Sequence, residues 1–127
     1  MSQFVISGGV KLKGEVEISG MKNAATPIVA ATLLTDEECV IHRVPKINDV
    51  IKMLEILKSL GAKVEWVGDH SLSIKCDLVD LKTLDRKMVK SMRSSVLFMA
   101  PLLARFKKAS LPEPGGCIIG NRPLDTH

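Results

Sequence analysis

Between residues 48 and 76 the spacing of apolar residues switches from a helical period to a strand period across a single glycine. Val50, Ile51, Leu54, Leu57 and Leu60 fall on one face of a helix that Asn48 is placed to cap and Gly61 to stop. Residues 62–67 and 71–76 then read as two strands, joined through Gly68-Asp69-His70 as a hairpin. A helix with one apolar face must bury it against another layer, and here the adjoining layer is a sheet. The fold class expected is α/β.

The same grammar extends in both directions. Residues 15–18 (Glu-Val-Glu-Ile) alternate as a half-buried strand does. After Ser19-Gly20, residues 23–34 predict a helix that tolerates Pro27 only in its first turn, and residues 39–44 predict a strand closed by Pro45. Residues 15–76 therefore spell strand-helix-strand-helix-strand-strand. A second copy starts with a weak strand at 78–81. A helix over about 87–106 follows, with Val89, Met92, Val96, Met99, Leu103 and Phe106 as its stripe. A short strand at 109–111 and a helix start at Pro123 complete what is present. The copy is interrupted inside its second helix, which predicts either the front part of a longer protein or a truncated product.

Bulk properties narrow the function. At 127 residues and 46% hydrophobic, the chain can bury one modest core. The net charge of +4 is spread out, and with three Phe, one Trp and no Tyr there is little to stack nucleic-acid bases on, so no nucleic-acid partner is expected. Cys39, Cys76 and Cys117 lie far apart without a C-x-x-C pair, which argues against a disulfide framework and a metal site and points to a reducing cytoplasm. The amino terminus lacks the basic and apolar regions of a signal peptide. The longest apolar run, residues 96–104, contains Pro101 and falls far short of the ~20 residues a bilayer span needs, so no membrane association is expected.

Chemistry concentrates in a few residues. Cys117 follows Pro114-Gly115-Gly116, a setting unlike the helix or strand of a buried cysteine, and the glycines allow a ligand to approach the backbone. With a reference pKa of about 8.5 the thiol can donate a proton, while nearby Arg122 favours thiolate and nucleophilic attack; the residues leave both roles open, beside that of an inert thiol. Lys22 opens a predicted helix, where a cation opposes the macrodipole, so it reads either as half of an anion site or as a solvated lysine. Arg122 repeats that arrangement before Pro123 and offers a planar fork to carboxylate or phosphate. Arg93 borders the apolar stripe of its predicted helix, where a snorkelling arginine is the plainer reading. Asp125 and His127 are weak acid/base candidates, and nothing marks His42 or His70 as functional.

Residues 14–25 (Gly-Glu-Val-Glu-Ile-Ser-Gly-Met-Lys-Asn-Ala-Ala) and 114–127 (Pro-Gly-Gly-Cys-Ile-Ile-Gly-Asn-Arg-Pro-Leu-Asp-Thr-His) together resemble the UDP-N-acetylglucosamine enolpyruvyl transferases, and the resemblance runs through essentially the whole chain. It implies an inside-out α/β barrel of βαβαββ repeats, interrupted here within the second repeat. Residues 1–14 would begin a second domain, and 15–127 would form part of a substrate-binding domain with one full unit at 15–76. The implied reaction moves the enolpyruvyl group of phosphoenolpyruvate to the 3′-hydroxyl of UDP-N-acetylglucosamine with release of phosphate. This is the first committed step of peptidoglycan synthesis, and hence tied to cell shape and division.

The resemblance further implies that Cys117 is the proton donor, the thiol that adds to phosphoenolpyruvate and the group alkylated by fosfomycin. Lys22, Asn23 and Arg122 would bind phosphoenolpyruvate. Asn23, Arg93, Arg122, Pro123, Leu124, Asp125, Thr126 and His127 would contact the sugar nucleotide. No cofactor is implied, the oligomeric state is left open, and Met21 stands where alanine is more usual. The family's base and a further arginine would lie beyond residue 127, so this stretch alone is expected not to turn over. Three other classes remain: a non-catalytic sugar-nucleotide-binding piece, an RNA 3′-phosphate cyclase-like protein, and the sister transferase acting on shikimate 3-phosphate, which the Pro-Gly-Gly-Cys loop disfavours.

Overall fold

The computed structural model describes residues 3–115. Four helices and three strands follow one another: α1 (Lys22–Ala31, continued by a 3-10 turn at Thr32–Leu34), β1 (Glu38–Ile41), α2 (Asn48–Ser59), β2 (Lys63–Trp66), β3 (Leu72–Lys75), α3 (Arg86–Lys90) and α4 (Met99–Phe106). Further 3-10 turns occupy Leu81–Thr83 and Arg93–Phe98. The strands form one antiparallel sheet in the order β1-β3-β2. In that sheet Ile74 is paired with Cys39 on one side and Val64 on the other, and Leu72 and Ile74 turn one face of central β3 wholly into the core. Helices α1 and α2 pack on each other and α2 on β2, closing that core around Val29, Leu33, Met53 and Leu57.

The segment most periodic in sequence folds as its pattern predicts. Helix α2 buries Val50, Leu54 and Leu57, and Leu60 just past its end is buried too, but Ile51 stands 43% exposed and Met53 and Ile56 take its place in the core. A residue after Val50 is turned by 100° around the helix, onto the flank shared with Glu55 and Lys58. Asn48 is the first helical residue rather than the cap; Ile47 holds the cap position by backbone alone, without a side-chain hydrogen bond. At the other end Gly61 takes φ +98°, its N–H donates to the Lys58 carbonyl (2.9 Å) and the Ala62 N–H to the Leu57 carbonyl (3.1 Å). That is a Schellman ending, which a left-handed glycine makes possible.

Other expectations are corrected. Residues 15–18 form no strand: Val16 is 82% and Ile18 76% exposed, so among the described residues their alternation meets neither a ladder partner nor an apolar cover. Pro27 lies in the second turn of α1, not the first, and there removes the helical bond to the Asn23 carbonyl. The strand expected at 39–44 is Glu38–Ile41, ended at Arg43 by a left-handed backbone (φ 59°). No strand forms at 78–81, where the Asp80 side chain instead accepts from the Lys82 N–H (2.9 Å) and starts a 3-10 turn. None forms at 109–111 either.

The single helix expected over 87–106 is broken into α3, a 3-10 turn and α4. Met92 is extended (φ −150°, ψ 143°), and the buried Ser95 hydroxyl binds the Val89 and Met92 carbonyls at 2.8 and 2.7 Å. Pro101 sits in the first turn of α4, where its missing N–H costs nothing, whereas a continuous helix would have lost a bond there. The break turns the buried stripe to Val89, Met92, Phe98 and Leu102, leaving Leu103 exposed and Val96 and Met99 half-buried.

Past the end of β3, Asp77 Oδ2 accepts from Lys63 Nζ (3.3 Å) and pairs with Lys75 Nζ (3.5 Å), while its Oδ1 is buried without a hydrogen bond among the described residues. Desolvation pushes its pKa up, but the two ammonium groups outweigh this and hold it below the usual carboxylate range. A lowered folded pKa stabilises the fold above the unfolded value of about 3.9, and that contribution disappears as pH falls through the folded value. Urea midpoints measured from pH 5 down to pH 2 should fall less steeply in Asp77→Asn than in the native chain; parallel curves would contradict this pairing.

Candidate active site

Helix α1 starts without help from side chains. Met21 takes the cap position in an extended backbone (φ −97°, ψ 135°), its carbonyl accepts from the N–H groups of Ala24 (3.2 Å) and Ala25 (3.0 Å), and no acidic residue stands in the first turn. The positive end of the helix dipole is therefore uncompensated within α1. Lys22 is the first residue of that turn and the exposed Asn23 the second. Lys22 Nζ donates to Asp49 Oδ2, a carboxylate in the first turn of α2, so the amino-terminal ends of two packed helices meet at this cation.

The chain leading into α1 is anchored by Arg43, whose Nη2 donates to the Ile18 carbonyl (2.6 Å). A cavity of about 370 Å³ opens there, lined by Met21, Ala24, Ile28, His42 and Arg43 among others; Lys22 and Asn23 do not line it. A cavity of about 570 Å³ lies by the carboxyl end of α2, with Lys82, Arg86 and Lys108 in its wall, and it contains none of the expected site residues. Two described histidines make local hydrogen bonds: His42 Nδ1 with Ser71 Oγ (3.0 Å), and His70 Nδ1 with the Val44 carbonyl (3.0 Å). Cys76 is fully buried beside Thr32, and burial raises its pKa against the Thr32 hydroxyl and Arg105, which keeps it an inert thiol.

Arg93 is half-buried at the start of the Arg93–Phe98 turn, which packs against α1. The structure thus brings together the elements that carry Lys22, Asn23 and Arg93. Cys117, Arg122, Pro123, Leu124, Asp125, Thr126 and His127 lie outside the described residues. The last described residue before them, Gly115, is held against α3: a Cβ added there would stand 1.9 Å from the Lys90 carbonyl oxygen. Asp49 is the participant that sequence reasoning missed. An acid in the first turn of a helix already has an explanation in the dipole, and a sequence separation of 27 from Lys22 hides the pairing.

A family model described as EPSP synthase (3-phosphoshikimate 1-carboxyvinyltransferase) matches residues 6–127. All 127 residues align with the UDP-N-acetylglucosamine 1-carboxyvinyltransferase of Methylacidiphilum infernorum at 50% identity, and with UDP-N-acetylglucosamine 1-carboxyvinyltransferase 1 of Carboxydothermus hydrogenoformans at 48%. The corresponding protein of Coxiella burnetii is 43% identical over the same length. The chain spans about 30% of the length of these relatives. Its fold is similar to that of the enolpyruvyl transferase NikO from Streptomyces tendae, with a TM-score of 0.65 and 26% identity over 77% of this chain and 23% of that one. The α/β class expected from the sequence is the class observed, and this solved transferase shares the fold.

Proposed function

The chain belongs to the EPSP synthase family of carboxyvinyltransferases, and from that premise we propose that it is the amino-terminal part of an enolpyruvyl transferase acting on UDP-N-acetylglucosamine. The observation that carries the choice of acceptor is identity of 43–50% along all 127 residues with relatives named for that sugar nucleotide. In the reaction proposed, the 3′-hydroxyl gives up its proton to a base as its oxygen bonds to C2 of phosphoenolpyruvate, while C3 takes a proton from a separate donor. C3 then loses a proton as the C2–O bond to phosphate breaks, which restores the double bond and releases phosphate. No cofactor is needed for these steps.

Within this reading Cys117 donates the proton to C3, and Lys22, Asn23 and Arg122 hold phosphoenolpyruvate. Asn23, Arg93 and residues 122–127 contact the sugar nucleotide, and the same thiol forms a covalent adduct with phosphoenolpyruvate. The uncompensated positive end of α1, with a cation on its first residue, supports the anion-binding part. Residues 1–14 would belong to a second domain and 15–127 to the substrate-binding one. Such a reaction supplies peptidoglycan synthesis from cytoplasmic metabolites. No helix among the described residues is long and apolar enough to cross a membrane.

The test is phosphate release by the protein expressed from its complete reading frame. Release is expected with phosphoenolpyruvate plus UDP-N-acetylglucosamine and not with shikimate 3-phosphate, and the reverse preference would overturn the reading. Calorimetric binding of the sugar nucleotide without turnover would reduce the protein to a non-catalytic module. Fosfomycin should add one adduct, seen in the intact mass and absent from Cys117→Ser; an adduct that survives that substitution would remove Cys117 from its role.

A further inference from the structure

The ion pair between Lys22 and Asp49 joins two first turns that are both poorly placed to hold a free lysine. Neither α1 nor α2 has a side-chain cap, so each presents unbonded N–H groups and the positive end of a dipole. A lysine on the first residue of α1 is repelled by both ends, and its four-carbon stem is free to swing into solvent. Asp49 is the only acid in either first turn, and its Oδ2 accepts from Lys22 Nζ. With side-chain exposures of 47% and 38% the pair contributes little to stability, since exposed ion pairs are typically worth under about 1 kcal/mol. What it does fix is direction: the ammonium is held toward Asp49 at the first turn of α2, against which α1 packs.

We propose that Asp49 is a positioning residue for the anion site, holding Lys22 in place so that an incoming phosphate or carboxylate meets a preorganised charge. This rests on the reading of Lys22 as a ligand of phosphoenolpyruvate. The role assigned to Asp49 runs through Lys22 and requires no contact of its own with substrate. Positioning lowers the entropy lost when a flexible cation closes on an anion, which acts on binding and leaves the bond-making steps alone. A competing arrangement would have the opposite sign. If Asp49 merely sequestered Lys22 from the substrate, removing its charge would tighten binding.

The experiment is steady-state kinetics on the protein expressed from its complete reading frame, with KM for phosphoenolpyruvate separated from kcat. Asp49→Asn is expected to raise KM by roughly fivefold with kcat within about twofold, matching the loss of an exposed pair that orders one charge. Asp49→Glu, which keeps the charge on a longer stem, should recover part of that rise and serves as the variant to read should Asn disturb folding. In a Lys22→Met background, Asp49→Asn should change nothing further, which a general structural defect would not reproduce. An unchanged or lowered KM in Asp49→Asn, beside a raised KM in Lys22→Met, would overturn the positioning role alone. An unchanged KM in Lys22→Met would overturn the reading of Lys22 on which it rests, and the positioning role with it.

Discussion

Arg105→Met is expected to lower the free energy of unfolding by about 3 kcal/mol, a loss built from charge-assisted hydrogen bonds of roughly 1.5–3 kcal/mol each, partly offset by water at a half-buried site. Arg105 Nη1 lies 3.0 Å from the Leu33 carbonyl, 3.0 Å from that of Thr35 and 2.8 Å from that of Cys76. Those carbonyls belong to the 3-10 extension of α1, the loop before β1 and the residue just after β3, while Arg105 itself is in the last turn of α4. One side chain thus ties the end of α4 to two stretches far from it in sequence, residues 33–35 and Cys76, and each carbonyl would otherwise need another donor. Methionine keeps the length and the apolar stem, so the loss isolates the guanidinium. Arg105→Lys should lose less, since all three contacts run through the single Nη1 and an ammonium also donates from one nitrogen. Urea unfolding followed by circular dichroism gives the number. A loss under about 1 kcal/mol would mean that water replaces the guanidinium at all three carbonyls.

Gly61→Ala should cost about as much, for a different reason. The φ of +98° is one that alanine adopts at a penalty of about 1–2 kcal/mol. The added Cβ would also stand 2.2 Å from the Leu78 carbonyl oxygen, so backbone must move, at about 1–3 kcal/mol. That movement has little room, because the Asp80 N–H is bonded to the Leu60 carbonyl at 2.9 Å on the same crossing. Gly61→Asn separates the two contributions: asparagine tolerates the left-handed backbone but keeps the clash. If thermal unfolding places Asn close to glycine, strain dominates; if Asn and Ala fall together, the clash does. A native-like midpoint in Gly61→Ala would contradict both.

The legible part of this fold is the part where local pattern and tertiary packing ask for the same thing. The α2 stripe, the glycine that ends it and the hairpin that follows were readable because each is specified within a dozen residues. Residues 15–18 alternate as cleanly, yet a strand is a relation between two segments, and among the described residues they have no partner. The 87–106 pattern misled because period alone ignores Ser95, whose hydroxyl competes for backbone carbonyls, and Pro101, which suits a helix start better than a helix interior. At the candidate site, Lys22 was legible as a cation in an electrostatically poor place. Its partner Asp49 was not, because pairing across two packed helices leaves no trace in spacing. Arg93 looked like a snorkelling side chain for a related reason: its placement on a turn packed against α1 depends on the helix break that the pattern did not show.

The contact between Gly115 and the Lys90 carbonyl bears on how mutational tolerance around the cysteine should be read. Any side chain at position 115 collides with the backbone at the end of α3, so a saturation scan will show that position as intolerant whether or not the protein is catalysing anything. Intolerance at Cys117 has a separate, chemical cause under the function proposed here. A selection for folded abundance alone should already deplete substitutions at Gly115, while a selection for growth dependent on the transferase should deplete those at Cys117 as well.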